Sequence, residues 1–114
     1  MVINGTEVAF DIFNPETLRR FNEFVHTYQN GMTEISGQNV GIDDFPKMYQ
    51  LVVTALDGLF GPGMGVRICG SEVSAAPAVN AVLDLLEEHQ AQVNDMQRKS
   101  ERIVKLFGQL SDEK

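Results

Sequence analysis

With 114 residues the chain has the size of one ordinary domain and is too short for two independent cores. Its 43% hydrophobic and 22% charged residues belong to a sequence that folds rather than one that stays disordered. Sixteen acids against nine bases give a formal charge of -7, which repels phosphate backbones; no cluster of Lys and Arg with interleaved aromatics offsets it, so nucleic acid is not an expected partner.

The first residues, Met1-Val2-Ile3-Asn4-Gly5, lack the basic start and long apolar run of a secretion signal, and no run approaches the roughly 18 apolar residues of a membrane span. A single cysteine, Cys69, cannot form an internal disulfide, which fits a reducing compartment. The expectation is a soluble, cytoplasmic protein with no membrane contact.

In chain order, Asn4-Gly5 sits between two short apolar stretches, and both residues tolerate the positive φ of a two-residue hairpin turn. Val8, Phe10 and Ile12 then alternate with Ala9 and Asp11. These features predict a β-hairpin over about 2–13, whose apolar face needs helices to cover it. Asn14-Pro15-Glu16 supplies an N-cap, a proline for the first helical position and an acid at the positive end of the dipole. Leu18, Phe21, Val25 and Tyr28, with Phe24 beside them, follow at helical spacing, so a helix is expected over about 15–30 with Gly31 as its stop. Gly31 to Gly41, rich in glycine and small polar residues, reads as a loop with room for a short strand at Thr33 to Ile35. Asp43 and Asp44 suit a helix N-terminus, and Ile42, Phe45, Tyr49, Val52, Leu56 and Leu59 predict a second helix over about 43–59.

Phe60 to Gly70 holds four glycines, one proline and Cys69. It is not a phosphate loop: Gly65 precedes Val66 where a P-loop requires lysine, and a dinucleotide fingerprint requires a third glycine where Val66 or Ile68 stands. The stretch reads as a joint over 60–73, with Gly61 ending the second helix, Pro62 blocking its continuation, and Gly63, Gly65 and Gly70 turning the chain through one short helical turn at Met64 to Cys69. Arg67 reads as a surface residue and Cys69 as a small buried hydrophobe.

From Ser74, a candidate N-cap with Pro77 tolerated in the first turn, the positions Val79, Val82, Leu86, His89, Val93, Met96, Ser100, Ile103, Phe107 and Leu110 step by three and four without a break. A helix over about 74–110 reaches about 50 Å and must project, bend or pair with another chain. Its heptad-like stripe marks Val82, Leu86, Val93, Met96, Ile103, Phe107 and Leu110 as a partner-binding or oligomer seam, with His89 and Ser100 as polar interruptions able to fix register. Self-association through this helix is expected. The fold class expected overall is α+β, mainly α.

No constellation for catalysis emerges. His26 and His89 lie on different helices with no further ligand at metal spacing, Asp43-Asp44 and Glu87-Glu88 diverge by about 100° on a helix, and no nucleophile motif is present. The expectation is no enzyme, no cofactor and no metal.

The hairpin Ile3-Asn4-Gly5-Thr6-Glu7-Val8-Ala9-Phe10-Asp11-Ile12 and the joint Leu59-Phe60-Gly61-Pro62-Gly63, within this order of helices, resemble small proteins encoded in phages and prophages of Gram-positive bacteria, either the tail assembly chaperones or a nearby uncharacterised prophage family. The resemblance implies a non-catalytic role in the bacterial host's cytoplasm: holding an aggregation-prone, helical tape-measure protein until tail-tube subunits replace the chaperone. Val93, Met96, Ile103 and Phe107 are the contact residues such a role points to. The alternative is a structural, self-associating coiled-coil component of a virion or other complex.

Overall fold

The computed structural model describes residues 1–36 and 39–112. Strands β1 (Val2–Ile3) and β2 (Thr6–Glu7) pair antiparallel, with Val2 opposite Glu7 and Ile3 opposite Thr6. Asn4 and Gly5 both take positive φ, 49° and 82°, as a two-residue hairpin turn requires. The expected arm to Phe13 is much shorter: the Val8 N–H donates to the Met1 carbonyl at 2.9 Å and the ladder ends there. Val8, Phe10 and Ile12 still bury their side chains, but against helices, and a side chain from the last helix replaces the missing strand.

Helix α1 runs from Pro15 to Ser36. The Asn14 Oδ1 accepts from the Glu16 and Thr17 N–H groups at 3.0 and 3.1 Å, which caps the free amides of the first turn. The helix does not stop at Gly31. That glycine lies against Leu51, where a Cβ would collide with the isobutyl group, so it is a notch for helix packing and not a terminator. The expected strand at Thr33 to Ile35 is helical as well, with the Thr33 hydroxyl donating to the Gln29 carbonyl at 3.0 Å. Part of the loop expected over Gly31 to Gly41 falls on residues 37 and 38, outside the described residues.

A 3-10 turn at Ile42–Asp44 is closed by the Gly41 N–H donating to the Asp44 carboxylate at 2.8 Å, and α2 (Phe45–Phe60) follows. Helix α2 is the centre of the molecule: Met48, Tyr49, Val52, Val53, Ala55, Leu56 and Leu59 are buried along it, and it packs on α1 and on the two later helices, α3 (Met64–Cys69) and α4 (Ala75–Asp112). Ile3, Val52, Leu56 and Leu85, from β1, α2 and α4, are fully buried together. The Phe10, Phe21, Phe24 and Phe60 rings fill the side near α1, in edge-on and stacked contacts with centroids 5.3 to 6.4 Å apart. The fold is α+β and mainly α.

Helix α4 sets the shape. Its 38 residues span about 57 Å, and the molecule measures 68 × 30 × 21 Å. The radius of gyration, 18.4 Å, exceeds the roughly 13 Å of a compact chain this long because one end of α4 stands clear of the body. Among the described residues, no helix is long and apolar enough to cross a membrane.

Candidate functional site

The glycine-rich joint aims α4 and is pinned on several sides. Gly61, Gly63 and Gly70 take φ values of 118°, 86° and 88°, which side chains rarely adopt, so the turns between α2, α3 and α4 depend on them. Gly65 differs from the hinge role expected of it. It lies within α3, and a Cβ there would strike the backbone of Val53, so glycine is what lets α3 cross α2 closely. The Asp57 carboxylate accepts from the Gly65 N–H at 2.7 Å, and the Tyr49 hydroxyl donates to the Gly70 carbonyl. From the hairpin turn, the Asn4 amide donates to the Ile68 carbonyl at 3.2 Å and the Pro77 carbonyl at 2.9 Å, bridging the end of α3 to the start of α4. Cys69 is buried beside these contacts, and desolvation pushes its thiol up to about 11, which removes it as a nucleophile near neutral pH.

The first half of α4 belongs to the core. Ala78, Ala81 and Leu85 are fully buried, the alanines allowing close approach to the neighbouring elements. One turn on, the His89 ring stacks on Phe21 at 4.9 Å between centroids. Next, the Gln92 amide donates to the Phe10 carbonyl at 2.7 Å while its oxygen accepts from the Ile12 N–H at 3.0 Å. One primary amide thus makes the pair of bonds that a neighbouring strand would have made with residues 10–12. Val93, packed against the edge of the core, is the last contact.

Beyond Val93 the stripe continues with none of the described residues packed against it. Ile103 follows Leu85 by about five turns and lies on the same line of the helix, yet Leu85 is fully buried and Ile103 is 53% exposed. Met96, Phe107 and Leu110 are 42%, 65% and 60% exposed, and Ile103, Leu106, Phe107 and Leu110 line an apolar recess at the free end. Of the seven seam residues expected from the sequence, these four are free and Val93 is half-buried. Leu86 stands on the flank that the body leaves open. Val82 is not available to a partner: it is 6% exposed, inside the chain's own core, because it is rotated only about 60° from Leu85.

Charge is divided along the same helix. Asp84, Glu87, Glu88 and Asp95 come first, with no Lys or Arg before Arg98, whereas Arg98, Lys99, Arg102 and Lys105 follow with only Glu101 among them. Lys99 sits 2.9 Å and Arg98 3.6 Å from Asp95, and the Lys99 hydrogen bond holds that carboxyl below the usual carboxylate range. Among the described residues no group of three His, Cys, Asp or Glu is placed to hold a metal ion; His26 is exposed, and His89 is occupied by Phe21.

Residues 4–111, from the hairpin turn almost to the end of α4, match a family of unknown function, DUF6673. The chain belongs to the DUF6673 family. The match takes in the projecting half of α4. No curated protein and no solved structure matches this DUF6673 chain.

Four residues matter to the arrangement in roles that the sequence does not show. Asn4 carries a turn signal that hides its role as a bridge, and Asp57 is an ordinary polar position of α2. Gly31 carries the signal of a helix stop. Gln92 has a weak signal: a glutamine on the core-facing line of a helix, one turn after a histidine.

Proposed function

We propose that this DUF6673 chain is a non-enzymatic protein-binding protein whose projecting helix docks, through its apolar stripe, on a helical partner. The observation that carries the reading is the exposure of Ile103, Leu106, Phe107 and Leu110 on a stretch of α4 that no core supports. An isolated helical stretch of this length is marginal in water, and an apolar stripe on one side of it is the form in which helices enter grooves or other helices. Met96 adds a side chain that adapts to a variable surface. The resemblance of the hairpin and the joint to phage tail assembly chaperones supports one occupant, an aggregation-prone tape-measure-like protein held in the bacterial cytoplasm during assembly. The unbroken heptad spacing also favours a second reading, a coiled-coil component retained in a virion or other complex.

The test is co-expression with the proteins encoded beside this gene, followed by pull-down and by inspection of finished particles. The chaperone reading expects a stable complex that Ile103→Asp and Phe107→Asp abolish, with the chain missing from finished particles. Retention in the particle supports the structural reading. A complex untouched by both substitutions refutes the assignment of the stripe.

A further inference from the structure

We infer that the free half of α4 is covered by a second copy of this chain, laid antiparallel along α4 about a two-fold axis between Asn94 and Asp95. This rests on the helix-docking reading above and adds to it the occupant, its direction and its register.

Charge sets the direction. With Asp84, Glu87 and Glu88 before Asn94 and, Glu101 apart, only bases from Arg98 to Lys105, a parallel pair places like charges side by side, whereas an antiparallel pair about this axis places Lys105 beside Asp84 and Arg102 beside Glu87 of the other copy, with Glu101 beside Glu88 as the one like-charge pair. Packed helices lie about 8–10 Å apart, within about one Debye length at physiological salt, so the whole segment feels the difference.

Apolar surface sets the register. The body leaves one flank of the first half of α4 open, where Val79 is 40% and Leu86 46% exposed. About the proposed axis Val79 meets Leu110, Leu86 meets Ile103, and Val93 meets Met96. Ser100 then lies beside His89, which has one ring face on Phe21, and a slip of one heptad would set Ser100 against Met96 or Val82 instead. On a straight helix this line drifts by about 20° per heptad, which is the left-handed wrap of a two-stranded coil.

About this axis the free stretch from Met96 to Leu110, about 21 Å long, lies along the other copy's flank from Val79 past Leu86 to the half-buried Val93, so both free ends are covered at once. The contact is isologous and closed, which leaves no further copy to recruit.

The experiment uses the full chain in a Cys69→Ala background carrying Leu86→Cys and Ile103→Cys, singly and together. On one helix these positions are about 25 Å apart, too far for a disulfide within a copy. Mild oxidation, and in parallel a short thiol cross-linker, are read on a non-reducing gel; far-UV circular dichroism confirms that each variant is folded. The expected result is that the double variant becomes a covalent dimer for most of the chain while each single variant stays uncrosslinked, and that light scattering gives a dimer for the Cys69→Ala parent. Cross-linking by either single variant, no cross-linking by the folded double variant, or a monomeric parent overturns the inference. A monomer that still captures its co-expressed partner, and loses it on Phe107→Asp, overturns the inference while upholding the protein-binding reading.

Discussion

Replacing Gln92 by alanine tests whether the bond pair between α4 and the extended segment holds the base of the projection. The substitution removes a donor at 2.7 Å from the Phe10 carbonyl and an acceptor at 3.0 Å from the Ile12 N–H, both partly buried. A buried backbone group left without a partner costs about 1–3 kcal/mol, and the half-buried position lets water repair part of the loss, which puts the total near 2 kcal/mol. For a domain of this size that lowers the melting midpoint by about 8 °C. The assay is urea and thermal unfolding followed by circular dichroism at one fixed protein concentration, so that self-association does not enter the comparison. Gln90→Ala is the control. Its side chain donates to Asn94 on the exposed surface, and its loss should stay within about 0.5 kcal/mol. If Gln92→Ala unfolds within about 0.5 kcal/mol of the parent, the paired bonds do not hold the segment and the account of the hairpin's second arm is wrong.

Gly65→Ala should destabilise by more than about 3 kcal/mol, since the new methyl meets the backbone of Val53, whereas Gly31→Ala meets only the Leu51 side chain, which can turn aside, and should cost about 1 kcal/mol or less; urea midpoints of the two variants rank them. Glu16 accepts from Arg19 and Arg20, and those bonds lower its carboxyl from 4.5 to about 2. A pKa lowered in the folded state gives stability that is present above 4.5 and is lost as pH falls toward 2, so Glu16→Gln should flatten the acid limb of the stability curve in that window, and 1 M salt should shrink the difference because the group is exposed. Cys69 should react with a disulfide reagent at pH 8 only as fast as the chain opens, and at once in denaturant; prompt reaction in the native protein would contradict its burial.

Features written in adjacent residues were legible in the sequence. Asn14-Pro15 announces the start of α1 because a cap is a contact over two or three residues, and Gly61-Pro62-Gly63 announces a turn because φ is a local property. Gly31 shows where locality fails: its propensity says stop, but Leu51 of another helix requires the missing methyl. The stripe on α4 was legible as a stripe, not as an assignment. Val82 and Leu110 satisfy one three-four pattern, yet one is core and the other is exposed, because periodicity gives the direction a side chain faces and nothing about what stands there. Gln92 left only a weak signal, since its partners are some eighty residues away.

Because α4 is one unbroken rod, the position of its tip is decided far from the tip. About 30 Å of helix extends past Gln92, so a tilt of about 10° at that clamp sweeps the far end by about 5 Å, close to the pitch of one helical turn. In the proposed docking role, a fitted interface at residues 103–110 constrains Phe10, Ile12 and Asn4 as well, because their contacts with α4 and its start steer the rod.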